Sequence, residues 1–214
     1  MMPPFNLEQF LQVFANYNTA VRPAQIFILQ LALLIIYFAV KKKTISDKFI
    51  SVLLAIFWLW MGIVYHSIYF STINKAAYLF GTLYIIQAFL FIYYGVMKTS
   101  LSFNFRKDIF GITGSVLILY AIILYPLIGY FLGHTYPNTP TFGLPCPTTI
   151  FTFGILLWTT KSVPFPVLII PFIWSVVGFS AVVYFGMYED IGLLIAGIIT
   201  VSAQFTMNRK RVLK

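Results

Sequence analysis

Seven apolar stretches, at roughly 23 to 40, 49 to 71, 76 to 97, 109 to 133, 147 to 163, 166 to 186 and 191 to 207, follow one another along the chain, separated only by short polar, charged or proline-containing connections. A helix needs about 20 apolar residues to cross ~30 Å of hydrocarbon, and each stretch comes close to that length. Lipid offers backbone N–H and C=O groups no partner, which restricts such a chain to elements that satisfy their own hydrogen bonds. Composition agrees: 60% of the 214 residues are hydrophobic and 9% are charged, against about 25% charged in a soluble domain. The expected fold is an all-α integral membrane protein with seven transmembrane helices. No connection is long enough to fold separately, so residues 1-214 form a single membrane domain with the bundle at 23-207.

The basic residues fix an orientation. The connections after the first, third and fifth stretches and the tail at 208-214 hold twelve of the fourteen Lys and Arg, whereas the other side has only Arg22 and Lys75. By the positive-inside rule the N-terminus is outside and the C-terminus cytoplasmic, as an odd number of spans requires. The net charge of +9 therefore reads as a topology signal in the plasma membrane. A nucleic-acid surface needs its bases on one solvated face, and here they fall between apolar runs, so no nucleic-acid partner is expected. No basic region precedes the first apolar stretch, which argues against a cleaved signal peptide.

Ahead of the first stretch, Leu7, Phe10, Leu11 and Phe14 recur at i, i+3, i+4 and i+7, opposite Glu8, Gln9, Gln12 and Asn16. This predicts an amphipathic helix over 6-18 on the outer surface, either an anchor or a lid, with Asn6 and Gln9 spaced as a capping box. The fifth stretch is short. Pro147 opens it, Pro164 and Pro166 follow it, and the preceding segment carries Pro137, Pro140 and Pro145. Such a segment is expected to dip between the helices from outside, where protein can satisfy its backbone. Pro126 and Pro171 should kink their helices.

A parallel three-plus-one-plus-three repeat is permitted by the orientation. Pro23, Ile26 and Phe27 match Pro147, Ile150 and Phe151 in spacing, and Phe57, Tyr69 and Phe70 match Phe172, Tyr184 and Phe185. A bundle without a repeat is the simpler plan.

All five carboxylates, Glu8, Asp47, Asp108, Glu189 and Asp190, fall at ends of spans, which disfavours a midplane proton relay. The last span has no lysine for a retinal Schiff base. Gln87 lies near the middle of the third span, and Thr148 and Thr149 lie in the fifth; either interhelical hydrogen bonds or solute contacts account for them. His66, His134 and Cys146 fall toward the outer end. With Glu189 and Asp190 they supply donor types suited to zinc or copper, but no spacing among them is diagnostic. No metal and no cofactor is assigned.

The run from His134 to Pro137, continued from Pro140 to Gly154, resembles a segment of an uncharacterised family of bacterial multi-pass membrane proteins. The stretches from Phe10 to Gln25 and from Trp60 to Gly81 are similar to that family as well. The resemblance implies a bacterial membrane context and transfers no activity. In helix count and orientation only, the repeat plan is also similar to sugar-efflux transporters of the SWEET type, whose motifs are absent here.

Three functions stay open on the residues. The leading one is a protein that binds or passes a small neutral solute through an outward-facing pocket, by alternating access about Pro126 and Pro171, with Gln87, Thr148 and Thr149 on the solute and His66 and His134 at the mouth. The second is an outer-leaflet enzyme acting on a lipid or quinone through His66, His134 and Cys146. The third is a non-catalytic assembly or sensory subunit with the N-terminal helix as its partner surface. The lipid bilayer is the one partner common to all three.

Overall fold

Backbone groups that cannot reach water are satisfied within helices, and eight helices with no strand are found among the described residues. The computed structural model describes residues 4–212, with side chains through Met207. Of the basic tail at 208-214, Lys214 and the side chains of Arg209, Lys210 and Arg211 lie outside the described residues. The helices are α1 (Leu7–Ala20), α2 (Arg22–Val40), α3 (Ser46–Thr72), α4 (Ala77–Met97), α5 (Ile109–Phe131), α6 (Pro145–Leu157), α7 (Phe165–Phe185) and α8 (Ile191–Val212), the last entered through a 3-10 turn at Tyr188–Asp190. Six of these, α2 to α5, α7 and α8, are long and apolar enough to cross a membrane. Their outer faces expose Phe27, Leu33, Leu79, Phe89, Ile112 and Val183, an apolar surface that water would penalise and lipid does not.

The stretch expected at 147 to 163 folds as α6, 13 residues long, or about 20 Å of helix. Every residue of it except Cys146 is buried, and it packs against α5 and α8 as the central element of the bundle. A helix that starts inside protein leaves N–H groups unpartnered in its first turn, and Pro145 and Pro147 remove two of them outright. At the other end Gln204 of α8 donates from Nε2 to the Leu156 carbonyl at 2.9 Å, and its Oε1 accepts from Val163 N at 3.2 Å. The first end of this short helix is therefore closed by its own prolines and the last by α8.

Small residues let the helices approach to backbone contact. A Cβ on Gly114 of α5 would stand 2.7 Å from the carbonyl oxygen of Gly154 of α6, and one on Gly154 would stand 2.8 Å from that of Gly114. Gly62 of α3 and Gly81 of α4 form a second reciprocal pair, each 2.8 Å from the other's carbonyl. This is the small-residue crossing by which membrane helices associate where apolar burial offers no net drive.

Wide π-type turns interrupt α3 at Met61–Tyr69 and α5 at Tyr120–Leu124. The second lies one residue short of Pro126, whose missing N–H releases a carbonyl from the helical ladder. The first has no proline, and there Ser67 Oγ donates to the Gly62 carbonyl at 2.9 Å.

The two ends of the bundle differ. At the end rich in basic residues, the connection between α4 and α5 is tied down: Lys42 pairs with Asp47, Asp47 Oδ1 accepts from Phe103 N at 2.7 Å, Asn104 N donates to Trp158 O at 2.8 Å, and Arg106 pairs with Asp108. The Arg106 guanidinium and the Gly111 N–H together hold Asp108 below the usual carboxylate range. At the opposite end α1 is clipped onto the bundle. Its capping box is formed, with Asn6 N to Gln9 Oε1 and Gln9 N to Asn6 Oδ1 both at 2.9 Å. The helix does not lie apart from the bundle, because Val13, Phe14, Tyr17 and Asn18 are buried against it. Positions paired by the repeat pattern differ in surroundings: Phe27 is 65% exposed, whereas Phe151 is fully buried.

Asn18 is the clip. Its Nδ2 donates to the carbonyls of Pro137 at 2.6 Å and Thr139 at 2.7 Å, while its Oδ1 accepts from Gln25 and Thr141. Asn18→Asp removes both donors and leaves two carbonyls inside protein without partners. The expected cost is about 1–3 kcal/mol, read as a lowered melting midpoint together with faster proteolysis within residues 134–144. Unchanged proteolysis would mean that the segment is held in some other way.

Candidate functional site

The clipped end encloses a cavity of about 260 Å³. Its walls are aromatic: Phe10 and Phe14 from α1, Phe70 from α3, Phe80 from α4, and Trp174 and Phe185 from α7. Gly178 and Ala181, one turn apart on α7, keep the α7 wall low enough for the space to exist. At its base are three polar side chains. Asp190, 3% exposed, accepts a hydrogen bond from Tyr125 Oη at 2.5 Å, and the Cys146 thiol lies beside the same carboxyl group. Trp174 Nε1 turns toward the Cys146 sulfur without reaching hydrogen-bond geometry.

Helix geometry explains why these groups converge. Tyr125 is carried by the segment that follows the π-type turn of α5, Cys146 by the sunken first turn of α6, and Asp190 by the 3-10 turn ahead of α8. Tyr120 Oη donates to the Glu189 carbonyl at 2.7 Å and fixes that turn. Glu189 and Asp190 then diverge. Glu189, fully buried, meets His134 Nδ1 at 2.8 Å and keeps one carboxylate oxygen unpartnered, whereas Asp190 faces the cavity.

The residues expected to act sit as follows. His66 is fully buried among Tyr65, Tyr84 and Trp174, with neither ring nitrogen hydrogen-bonded; it lies one layer behind the cavity wall. His134 pairs with Glu189, and Cys146 with Asp190. Each of the three has different neighbours, and among the described residues no three His, Cys, Asp or Glu side chains cluster as metal ligands would. Gln87 donates to the Val167 carbonyl at 3.0 Å, leaving its Oε1 unpartnered. Thr148 Oγ1 accepts from Gly143 N at 3.0 Å, and Thr149 Oγ1 lies 3.5 Å from Tyr84 Oη. Gln87, Thr148 and Thr149 line none of the described cavities.

Tyr17 supports the floor of the segment around Gly143. It accepts from Trp60 Nε1 at 2.7 Å and donates to the Gly143 carbonyl at 3.2 Å, and burial raises its phenol above the usual range. Gly143 itself has φ +103°, a left-handed backbone that favours glycine.

Sequence reasoning set Glu189 and Asp190 among the outer-end groups but did not select them for the site, and it did not single out Tyr125 or Trp174. The available signal was the adjacency of two of only five carboxylates just before an apolar stretch.

The profile of a family described as a family of unknown function (DUF6064) matches residues 7–214, and the chain belongs to that family. Neither a curated protein nor a solved structure matches it.

Proposed function

We propose that this member of the family is a multi-pass protein of the plasma membrane that binds a small lipophilic solute in an outward-facing cavity at the end of the bundle opposite its basic residues. The supporting observation is a single one: an aromatic cavity of about 260 Å³ that ends on a buried cluster of Asp190, Tyr125 and Cys146. Ligand sites are mostly apolar with a few convergent polar groups, and an ionisable side chain sunk within a membrane bundle is a functional group by default.

In this reading α6, with its sunken approach and its closed ends, counts as a seventh crossing, and the twelve-to-two bias of Lys and Arg sets the N-terminus outside. The loop tied down at the basic end separates the cavity from the cytoplasm, so passage of a solute requires that end to open. The separate surroundings of His66, His134 and Cys146, with His66 hydrogen-bonded to nothing and His134 held by Glu189, favour binding over an enzyme built on that trio.

The test uses N-phenyl-1-naphthylamine, a neutral fluorescent probe, with the full chain in lipid nanodiscs. Saturable energy transfer from tryptophan is expected. Val177→Phe and Ala181→Phe, which fill the space, weaken it by about tenfold or more. Transfer that rises linearly with probe and is identical in both filled variants would reduce the signal to lipid partitioning and remove the reading.

A further inference from the structure

The two adjacent acids are not equivalent. Glu189 has an imidazole at 2.8 Å. Asp190 has a phenol and a thiol, both neutral, and beyond them the cavity. No Lys, Arg or His is among the described residues lining that cavity, and among the described residues no ion pair includes Asp190. A carboxylate taken out of water without a countercharge is costly, and the cost disappears when a cation arrives in contact with it. The walls add to the same preference. Aromatic faces carry negative quadrupoles, and a desolvated cation over such a face is attracted to it. Here Phe14, Phe70, Phe80 and Trp174 surround one volume with an acid at its base.

We propose that the cavity selects lipophilic organic cations, amines or quaternary ammonium compounds with an aromatic or short apolar body, and that Asp190 is the group that supplies the countercharge. The inference rests on the binding reading above and narrows its substrate class from lipophilic solutes in general to lipophilic cations. The Tyr125 hydroxyl and the Cys146 thiol hold the carboxyl group in place on one side, leaving the other for the ligand head. The Trp174 ring forms the adjacent wall.

Protons compete for the same group. The titratable side chains around Asp190 are Tyr65 of α3, Tyr84 of α4, Tyr120 and Tyr125 of α5, Cys146 of α6, and Glu189 with its partner His134. Of these only His134 has a side chain able to carry positive charge, and it is engaged by Glu189. Protonating Asp190 removes the one countercharge among the described residues lining the cavity, so cation affinity falls as pH is lowered while the affinity of a neutral body does not follow it.

The experiment is displacement of N-phenyl-1-naphthylamine by benzyltrimethylammonium and by neopentylbenzene, its uncharged carbon isostere, each referred to its concentration in the bilayer. In the native protein the cation is expected to displace the probe about tenfold or more better than the isostere. That ratio is expected to fall toward one as pH is lowered, and to fall toward one at all pH values in Asp190→Asn. The native pH series needs no variant, so the inference is tested even if Asp190→Asn fails to fold. If both compounds displace equally, or the isostere does better, the cavity stands and the cationic preference is overturned. If neither displaces and the probe itself does not saturate, the binding reading fails and the preference with it.

Discussion

Gly154→Leu is expected to prevent the chain from folding, and Gly154→Ala to destabilise it by about 2–3 kcal/mol. A Cβ at this position would lie 2.7 Å from Ile118 Cγ1, 2.8 Å from the Gly114 carbonyl oxygen and 3.1 Å from Ile118 N. Two of those three atoms are backbone, and neither helix can yield alone, because α6 is enclosed along nearly its whole length. Alanine is intrinsically the better helix former by about 1 kcal/mol, so a measured loss understates the clash. Gly129→Ala is the control. Its Cβ would meet only the tips of Glu189 and Thr139, at 3.3 and 3.4 Å, and should cost less than about 1 kcal/mol. The readout is the fraction of monodisperse protein recovered in detergent after a temperature ramp. A Gly154→Ala protein as stable as the native one would mean that α5 and α6 do not meet backbone to backbone.

The contrast between what the sequence carries and what it does not follows from the range of the interactions. Hydropathy over some twenty consecutive residues is a local property, and the six long helices fall within a few residues of the stretches read from it. The capping box at Asn6 and Gln9 is equally local, and both its hydrogen bonds form. Burial of polar groups is not local. Glu189 and Asp190 stand at the end of an apolar stretch, where sequence alone implies access to water, yet they are 0% and 3% exposed. Their covering comes from far along the chain: His134 and Tyr125 are 55 and 65 residues away, and α1 reaches the covering loop through Asn18 across about 120 residues of sequence. Gln87, Thr148 and Thr149 are visible in the sequence as polar residues within apolar runs. Their partners, the Val167 carbonyl, Gly143 N and Tyr84, are fixed only once α4, α6 and α7 have packed.

Removing the His134 side chain tests the same outer cluster from its other face. His134→Ala is expected to lower stability by about 3–5 kcal/mol, because it strips the partner from a fully buried carboxylate. Glu189→Gln keeps a hydrogen-bonding side chain without the charge and should cost less. In the double variant position 189 carries no charge that needs a partner, so much of the His134→Ala loss returns, and the coupling between the two positions is about 1–3 kcal/mol. The imidazole's other contribution is positional. Glu189 and Asp190 share one short turn, and a Glu189 side chain released from His134 frees that turn to move, carrying Asp190 away from Tyr125. Probe affinity at the cavity should therefore fall in His134→Ala and recover in the double variant in step with stability. An additive pair, with the double variant losing the sum of the single losses, would mean that His134 and Glu189 act independently, and the outer cluster would then be two separate contacts.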